Sequence, residues 1–200
     1  MNNNTDIRTG ADQHARRPYR VCFVCTGNIC RSPMAEWVLR ARVAEAGLTR
    51  LIEVDSAGTG GWHVGEGADP RTVQTLARNG FPSRHVARRF QRADLLRRDL
   101  VIALDSSHLR TLRQWAAALP GTGAGRGDGD GDGDGDDRTS RVAELRLLRE
   151  FDPEAEPGRW DVPDPYYGSL AGFEECLAMV QDAMPGLLSY LGKALETRAG

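Results

Sequence analysis

The chain has 200 residues, of which 40% are hydrophobic and 27% are charged, and its formal net charge is -2. This length and composition are typical of one globular domain, and they exclude a fibrous protein or a chain dominated by membrane spans. Residues 1–18 contain no apolar run, so they are predicted to form a disordered tail instead of a secretory signal or a membrane anchor. Four cysteines without such a signal favour a reducing compartment, and therefore the cytoplasm.

The predicted elements alternate between strands and helices along the chain. In order, they are strand Tyr19–Val24, helix Met34–Ala46, strand Leu51–Val54, helix Pro70–Asn79, short helix Asp94–Arg98, strand Leu100–Leu104, helix Ser106–Ala118, strand Ala143–Leu148 and helix Leu170–Leu195. Gly47 and Gly80 are expected to end the helices before them, and Pro185 is a candidate kink site. The alternation predicts an α/β fold of one domain over residues 19–197, with a four-stranded parallel sheet covered by helices on both faces in a Rossmann-like three-layer α/β/α arrangement. In such sheets, sites form at the carboxyl ends of the strands.

A Gly/Asp-rich segment interrupts this pattern. Residues 127–137 read GDGDGDGDGDD and contain six aspartates. Their spacing resembles the start of a calcium loop, but the glutamate that such a loop requires is replaced by Thr139 or Arg141, depending on the register. Alternating glycines and like charges bury little apolar surface, so a flexible insertion at about 120–141 is predicted.

The charge outside this segment bears on the choice of partner. Without the six aspartates the formal net charge would be +4, which favours anionic small molecules or acidic substrate surfaces. No cluster of Lys and Arg with interleaved aromatic residues is present, so no nucleic-acid partner is predicted.

Three of the four cysteines lie in the stretch VCFVCTGNICRSP, residues 21–33. Cys22 and Cys25 are three residues apart in or beside a strand, so their side chains should point to opposite faces, with Cys22 in the core. A zinc site would need a second pair of ligands, and a redox C-x-x-C would open a helix. No metal site is therefore predicted.

Cys25 is followed after five residues by Arg31, in a loop between a strand and a helix. Gly27 and Asn28 belong to the residue types that tolerate a left-handed backbone, which would curl the loop so that its N–H groups surround an oxyanion. The start of the following helix adds positive potential, and Arg31 can bind two oxygens of the same anion. This field should also stabilise the thiolate form of Cys25, so that a nucleophile and an anion site share one loop.

The stretch VCFVCTGNICRSPMAE resembles the signature of the low-molecular-weight protein tyrosine phosphatases, whose fold is the phosphotyrosine protein phosphatase I-like type. The similarity continues in DSAGTGGWHVGEGADPR at residues 55–71, in SRHVARRF around His85 and in DPYYGS at residues 164–169. The resemblance implies a metal-free and cofactor-free enzyme that hydrolyses phosphotyrosine and small aryl phosphates, with acid phosphatase activity as an additional expectation.

By this resemblance Cys25 is the nucleophile that forms a cysteinyl-phosphate intermediate, and Arg31 holds the phosphoryl oxygens. Asp164 is the general acid, since it opens the matching Asp-Pro-Tyr motif, while Asp161 is the rival carboxylate three residues earlier. The resemblance also implies substrate-binding and loop-supporting roles for a larger set. The substrate-binding residues are Thr26, Gly27, Asn28, Ile29, Cys30, Ser32, Trp62, Tyr166 and Tyr167, and the loop-supporting residues are Ser56 and His85.

The sequence is compatible with two interpretations of the aromatic residues and of Cys30. Trp62 could be an incidental loop aromatic and the two tyrosines a packing pair, instead of the walls of an aryl pocket. Cys30 could form a protective disulfide with Cys25 or be a packing thiol.

Other functions on the same fold are weighed as well. An arsenate reductase would carry further cysteines in the segment Gly80–Gln91, which has none, and a protein-arginine phosphatase would carry threonine in place of Ile29. The alternative to an enzyme is a binding protein, in which the same loop captures phosphorylated partners without catalysis. The expected partners are phosphotyrosine-containing proteins, with phosphate, vanadate or other oxyanions in the loop. A membrane partner is not expected, the protein should be a monomer or a weak dimer, and export by a route without a signal peptide stays open.

Overall fold

In the computed structural model, the described residues are 17–81, 84–119 and 141–199. The predicted disordered tail and the predicted Gly/Asp insertion lie outside this part of the chain, except for residues 17, 18 and 141. The remaining elements appear in the predicted order.

The four predicted strands form one fully parallel sheet. They are β1 (Tyr19–Cys25), β2 (Ile52–Gly58), β3 (Leu100–Ala103) and β4 (Glu144–Leu147), in the spatial order β2-β1-β3-β4. β2 continues to Gly58, four residues beyond the predicted end at Val54, because Asp55–Gly58 pair with β1 up to Cys25. These residues are polar or small, so they lack the apolar signal by which a strand is predicted. The carboxyl end of β1, where Cys25 lies, is therefore flanked by β2 on one side and by β3 on the other.

The helices also follow the predicted order, with ends that differ by a few residues. They are α1 (Arg31–Glu45), α2 (Pro70–Arg78), α3 (Ser106–Ala117) and α4 (Leu170–Ala199), with 3-10 turns at Arg92–Leu96 and Leu148–Phe151. Asp69 and Asp105 cap α2 and α3, since their carboxylates accept hydrogen bonds from the first backbone N–H groups of each helix. Gly47 and Gly80 have φ values of +71° and +81°, as a helix-ending glycine requires. α4 runs through Pro185 as one element.

The sheet separates two hydrophobic cores. Val21, Phe23 and Cys25 of β1 face the core built with α1, α2 and α4, and Cys22 and Val24 face the core built with α3. The predicted arrangement of helices on both faces is confirmed, and so is the placement of the two cysteines on opposite faces. Because the side chains of a strand alternate, Cys25 emerges at the end of β1 on the side of α1.

No helix among residues 17–81, 84–119 and 141–199 combines the length and the apolar content that crossing a membrane would require.

Candidate active site

The central feature is the loop that joins β1 to α1. Cys25 is the last residue of β1, and Arg31 is the first residue of α1, so the five residues between them must reverse the chain above the sheet. Asn28 supplies the left-handed conformation that this reversal needs, with φ +58°. The expectation that Gly27 would do the same is wrong, because Gly27 has no positive φ. Its small size matters instead, since a Cβ at this position would lie 3.0 Å from His63 Cδ2.

A chain of hydrogen bonds supports the loop from behind. The Sγ atom of Cys25 lies 3.0 Å from the hydroxyl oxygen of Ser32. The Asn28 amide donates to that hydroxyl at 2.9 Å and to the Ser56 hydroxyl at 2.8 Å. The side chain of a left-handed residue thus links the thiol to β2, and the loop cannot relax without breaking these bonds.

His85 and Glu36 complete this support. The Ser56 hydroxyl donates to the buried Glu36 carboxylate, and His85 Nε2 lies 2.7 Å from the Asn28 carbonyl oxygen. His85 Nδ1 lies 3.8 Å from Glu36 Oε2. Burial lowers the pKa of His85 below its ordinary value, although the contact with Asn28 and the charge of Glu36 act in the opposite direction. Neutral His85 can therefore donate its Nε2 hydrogen to the loop. Glu36 could not be predicted from the sequence, because there it looks like any acidic residue of an amphipathic helix.

The guanidinium of Arg31 lies between two carboxylates. Nη1 donates to Asp105 Oδ2 and Nη2 donates to Asp164 Oδ2, both at 2.7 Å, and the Arg31 side chain is only 4% exposed. Nη1 also donates to the Val162 carbonyl at 3.2 Å. Burial acts to lower the pKa of Arg31, but the nearby acidic groups, Cys25 first, raise it above its ordinary value. Arg31 is thus a fixed cation beside the thiol.

Asp105 and His108 also support the site, and neither was predicted from the sequence. His108 Nε2 lies 2.8 Å from the Thr26 hydroxyl, and His108 Nδ1 lies 3.0 Å from Asp105 Oδ1. Burial would raise the pKa of Asp105, but hydrogen bonds from His108 and Ser107 outweigh it and hold the pKa well below its ordinary value. The only signal in the sequence was an aspartate at the N-cap position of α3, which is far more often a cap than part of a site.

The loop forms the floor of an open cavity of about 400 Å³. Ten of the predicted site residues line it: Cys25, Thr26, Gly27, Ile29, Cys30, Arg31, Trp62, Asp164, Tyr166 and Tyr167. The other four, Asn28, Ser32, Ser56 and His85, lie behind the floor in the hydrogen-bond chain. Trp62 is 75% exposed and Tyr167 is 93% exposed, so both rings stand at the mouth with free faces. His63 also lines the cavity, and its Nδ1 lies 2.7 Å from Glu66 Oε2.

The two rival carboxylates occupy different places. Asp164 reaches Arg31 within the cavity, whereas Asp161 accepts hydrogen bonds from the backbone N–H of Ser106 at 2.7 Å and from its hydroxyl at 2.9 Å. Asp161 therefore anchors the segment before Asp164 to the start of α3. Of these two carboxylates, Asp164 lines the cavity and Asp161 does not.

The remaining thiols are buried. Burial raises the pKa of Cys30 and that of Cys176 to about 12, and it raises the pKa of Cys22 well above its ordinary value. In the described part of the chain all four cysteines are free, and no group of three or more His, Cys, Asp or Glu side chains is arranged to hold a metal ion.

Comparison with known proteins gives a consistent result. The family model described as low molecular weight phosphotyrosine protein phosphatase matches residues 20–119 and 136–197. A relative from Streptomyces coelicolor, named low molecular weight protein-tyrosine-phosphatase, is 54% identical over 182 residues, which cover 90% of this chain and 98% of the relative.

Solved structures are similar as well. A protein tyrosine phosphatase from Entamoeba histolytica, solved with Hepes in its active site, has a TM-score of 0.71 at 27% identity, with 88% of this chain and 98% of that one covered. DARP, a Drosophila arginine phosphatase, has a TM-score of 0.72 at 28% identity, with 86% and 96% covered.

Proposed function

The chain belongs to the low molecular weight phosphotyrosine protein phosphatase family, and we propose from this premise how its residues divide the work of hydrolysing phosphotyrosine. The observation that carries the proposal is the ion pair between Arg31 and Asp164 in the cavity above Cys25. It joins a cation for the phosphoryl group, a carboxyl group for proton transfer and a nucleophile in one place.

In the first step, the thiolate of Cys25 attacks phosphorus and the bond from phosphorus to the aryl oxygen breaks. The loop N–H groups and Arg31 bind the phosphoryl oxygens, which carry the charge of the transition state. The entering phosphate replaces Asp164 as the partner of Arg31 Nη2. The released Asp164 carboxylate takes up a proton from solvent, and it gives this proton to the leaving phenolate oxygen.

In the second step, Asp164 accepts a proton from water as the water oxygen attacks the cysteinyl phosphate. The bond between sulfur and phosphorus breaks, and the thiolate of Cys25 leaves with the electron pair. The Ser32 hydroxyl lies 3.0 Å from the sulfur, and a hydrogen bond from it stabilises the negative charge that returns there. The steps need no electron transfer and no group beyond those of the chain and water.

Trp62, Tyr166 and Tyr167 are proposed to hold the aromatic ring of the substrate at the mouth of the cavity. The tyrosine rings meet edge to face, with centroids 5.0 Å apart, and leave the Tyr167 side chain almost fully exposed. Flat side chains with free faces suit an aryl phosphate, whose ring must stand upright above the loop. A phosphoserine has no ring to pack against these side chains.

Two variants test the roles of the catalytic residues. Cys25→Ser should lose turnover of an aryl phosphate while it still binds inorganic phosphate or vanadate, because the loop and Arg31 are unchanged. Asp164→Ala should lower kcat/KM about 10²-fold or more for phenyl phosphate, whose leaving group is poor, and far less for para-nitrophenyl phosphate. An equal loss on both substrates would refute the role of Asp164 as the acid.

A phosphopeptide panel tests the choice of substrate. We expect a phosphotyrosine peptide to be hydrolysed much faster than matched phosphoserine, phosphothreonine and phosphoarginine peptides, and the rate to be unchanged by a chelator. Preference for phosphoarginine would contradict the proposal and would favour the activity in the name of the Drosophila protein.

We also propose that residues 19–197 form the catalytic domain and that the Gly/Asp-rich segment is an insertion in it. The family match supports this division, since it ends at residue 197 and leaves out residues 120–135. Removal of residues 121–138 should leave kcat and KM unchanged. Sedimentation velocity should find a monomer or a weak dimer, and cell fractionation should find the protein in the cytoplasm.

A further inference from the structure

Arg71 connects two segments that meet at the cavity. Nε donates to Asp69 Oδ1 at 3.0 Å and Nη2 donates to Asp69 Oδ2 at 2.8 Å, so the guanidinium binds this carboxylate with two hydrogen bonds. The same guanidinium donates from Nη2 to the Tyr166 carbonyl and from Nη1 to the Gly168 carbonyl, both at 3.0 Å. Arg71 thus joins the start of α2 to the turn formed by residues 165–168.

That turn directly follows Asp164. It is closed by a hydrogen bond from the Gly168 N–H to the Pro165 carbonyl at 2.8 Å, and the Tyr166 N–H donates to Asp164 Oδ1 at 3.2 Å. The carbonyls of Tyr166 and Gly168 are those that Arg71 binds. The carboxyl group of Asp164 is therefore attached to a turn whose position Arg71 holds.

The other end of this connection leads to the loop that holds Cys25. The backbone N–H of Asp69 donates to the Ile29 carbonyl at 2.9 Å. The Asp69 carboxylate also accepts from the Arg71 N–H at 2.8 Å, as the cap of α2. The path from the turn to the anion-binding loop thus runs through Arg71 and Asp69.

Two aromatic rings restrict the guanidinium further. Its carbon lies 4.5 Å from the centre of the buried Phe173 ring and 5.9 Å from the centre of the Tyr166 ring. A planar guanidinium can stack on rings and donate in its own plane at once, which an ammonium group cannot do. Lysine could keep the charge of Arg71 but not its set of contacts.

We propose that Arg71 is a positioning residue that holds Asp164 at the distance from Cys25 which proton transfer to the leaving oxygen requires. The inference depends on the proposed role of Asp164 as the acid. A displacement on the order of 1 Å is enough to cost up to 10²-fold in rate, so loss of these contacts should reduce acid catalysis without removing the carboxyl group.

Leaving-group dependence distinguishes this role from others. Arg71→Met should lower kcat/KM for phenyl phosphate about tenfold and that for para-nitrophenyl phosphate less than about twofold, because only the poor leaving group depends strongly on the acid. Arg71→Lys should fall between Arg71→Met and the wild type on phenyl phosphate. If Arg71 only attracted anions, both substrates would lose equally and lysine would restore them, which would overturn the proposal.

Arg146 provides the matched control. Its side chain is 36% exposed against 34% for Arg71, it pairs with Glu144 and Glu150, and it stacks over Phe151 at 5.3 Å on β4. Arg146→Met should leave both substrates unchanged. If Arg146→Met lowered kcat/KM for phenyl phosphate selectively and as much as Arg71→Met does, the effect would not be specific to Arg71 and the proposal would be overturned.

A double variant separates failure of this inference from failure of the proposed function. In the Asp164→Ala background, Arg71→Met should have no further effect on phenyl phosphate, because the acid that it positions is gone. A full tenfold loss in that background would overturn the role of Arg71. If Asp164→Ala alone lowered kcat/KM by the same factor on both substrates, the role of Asp164 as the acid would be refuted, independently of Arg71.

Discussion

Gly58 permits a close contact on which the anion-binding loop depends. This residue ends β2, and a Cβ added there would lie 2.7 Å from the Thr26 carbonyl oxygen and 3.1 Å from the Asn28 nitrogen. Ordinary van der Waals contact begins at 3.4 Å, so Gly58→Ala must displace the backbone of the loop by about 0.7 Å. The Thr26 carbonyl has little freedom to move, since it accepts the Gly60 N–H at 2.9 Å.

A shift of this size in the groups that bind the phosphoryl oxygens should lower kcat by about 10- to 100-fold, because orientation in the transition state is lost. We expect inhibition by inorganic phosphate to weaken in parallel. Steady-state kinetics with para-nitrophenyl phosphate would measure both, and circular dichroism would show whether the fold is kept.

Gly67 is the matched control for this prediction. It lies in the same connection between β2 and α2, but a Cβ there would meet nothing closer than the His85 carbonyl at 4.0 Å. Gly67→Ala should keep wild-type kinetics. If Gly58→Ala also kept them, the contact with the loop would be unimportant and the reasoning would be refuted.

Three further predictions concern reactivity, stability and pH. Iodoacetamide at neutral pH should modify the native protein only at Cys25, because the high pKa values of the other three thiols, Cys22, Cys30 and Cys176, keep them protonated. Phosphate should protect Cys25 from this modification. Peptide mapping that finds a second modified cysteine would contradict this. Gly192→Ala should raise the free energy of unfolding by about 0.5–1 kcal/mol, because residue 192 is helical and a Cβ there would meet no other atom within 4 Å. Gly186→Ala should lower the free energy of unfolding, because a Cβ there would lie 2.1 Å from the Phe151 carbonyl oxygen. Urea unfolding of both variants measures the difference, and equal effects would count against the packing argument. The folded-state pKa of Asp105 is depressed, so its contribution to stability is present above its unfolded pKa of 3.8 and is lost as the pH falls toward the folded value. Between pH 7 and pH 3, the free energy of unfolding of Asp105→Asn should therefore fall less than that of the wild type. If urea unfolding gave the same fall with pH for both proteins, this linkage would be excluded.

The order of elements and the meeting of Cys25 and Arg31 in one loop could be predicted because both depend on local patterns. Apolar periodicity and the glycines at residues 47 and 80 indicate the strands and helices, and Cys25 and Arg31 belong to one short stretch. The end of β2 could not be predicted, because pairing with β1 extends it through residues without an apolar signal.

The supporting residues of the site were harder to predict for the same reason. Glu36, Arg71 and His108 lie on helices, where charged or polar side chains usually face solvent. Their contacts are with segments distant in sequence, such as that of Arg71 with Tyr166, 95 positions further along the chain. Only the folded chain brings these partners together.

The ion pair between Arg31 and Asp164 has a consequence for which anions can bind at Arg31. A carboxylate already occupies the cation at 2.7 Å, so it acts as a tethered competitor for every anion that enters. Chloride or a carboxylate metabolite gains little by exchanging one single charge for another. A phosphate dianion has more charge and more acceptor atoms, so its binding to Arg31 and the loop can outweigh the loss of the ion pair with Asp164. We therefore expect Asp164, the proposed general acid, also to weaken the binding of common small anions at Arg31.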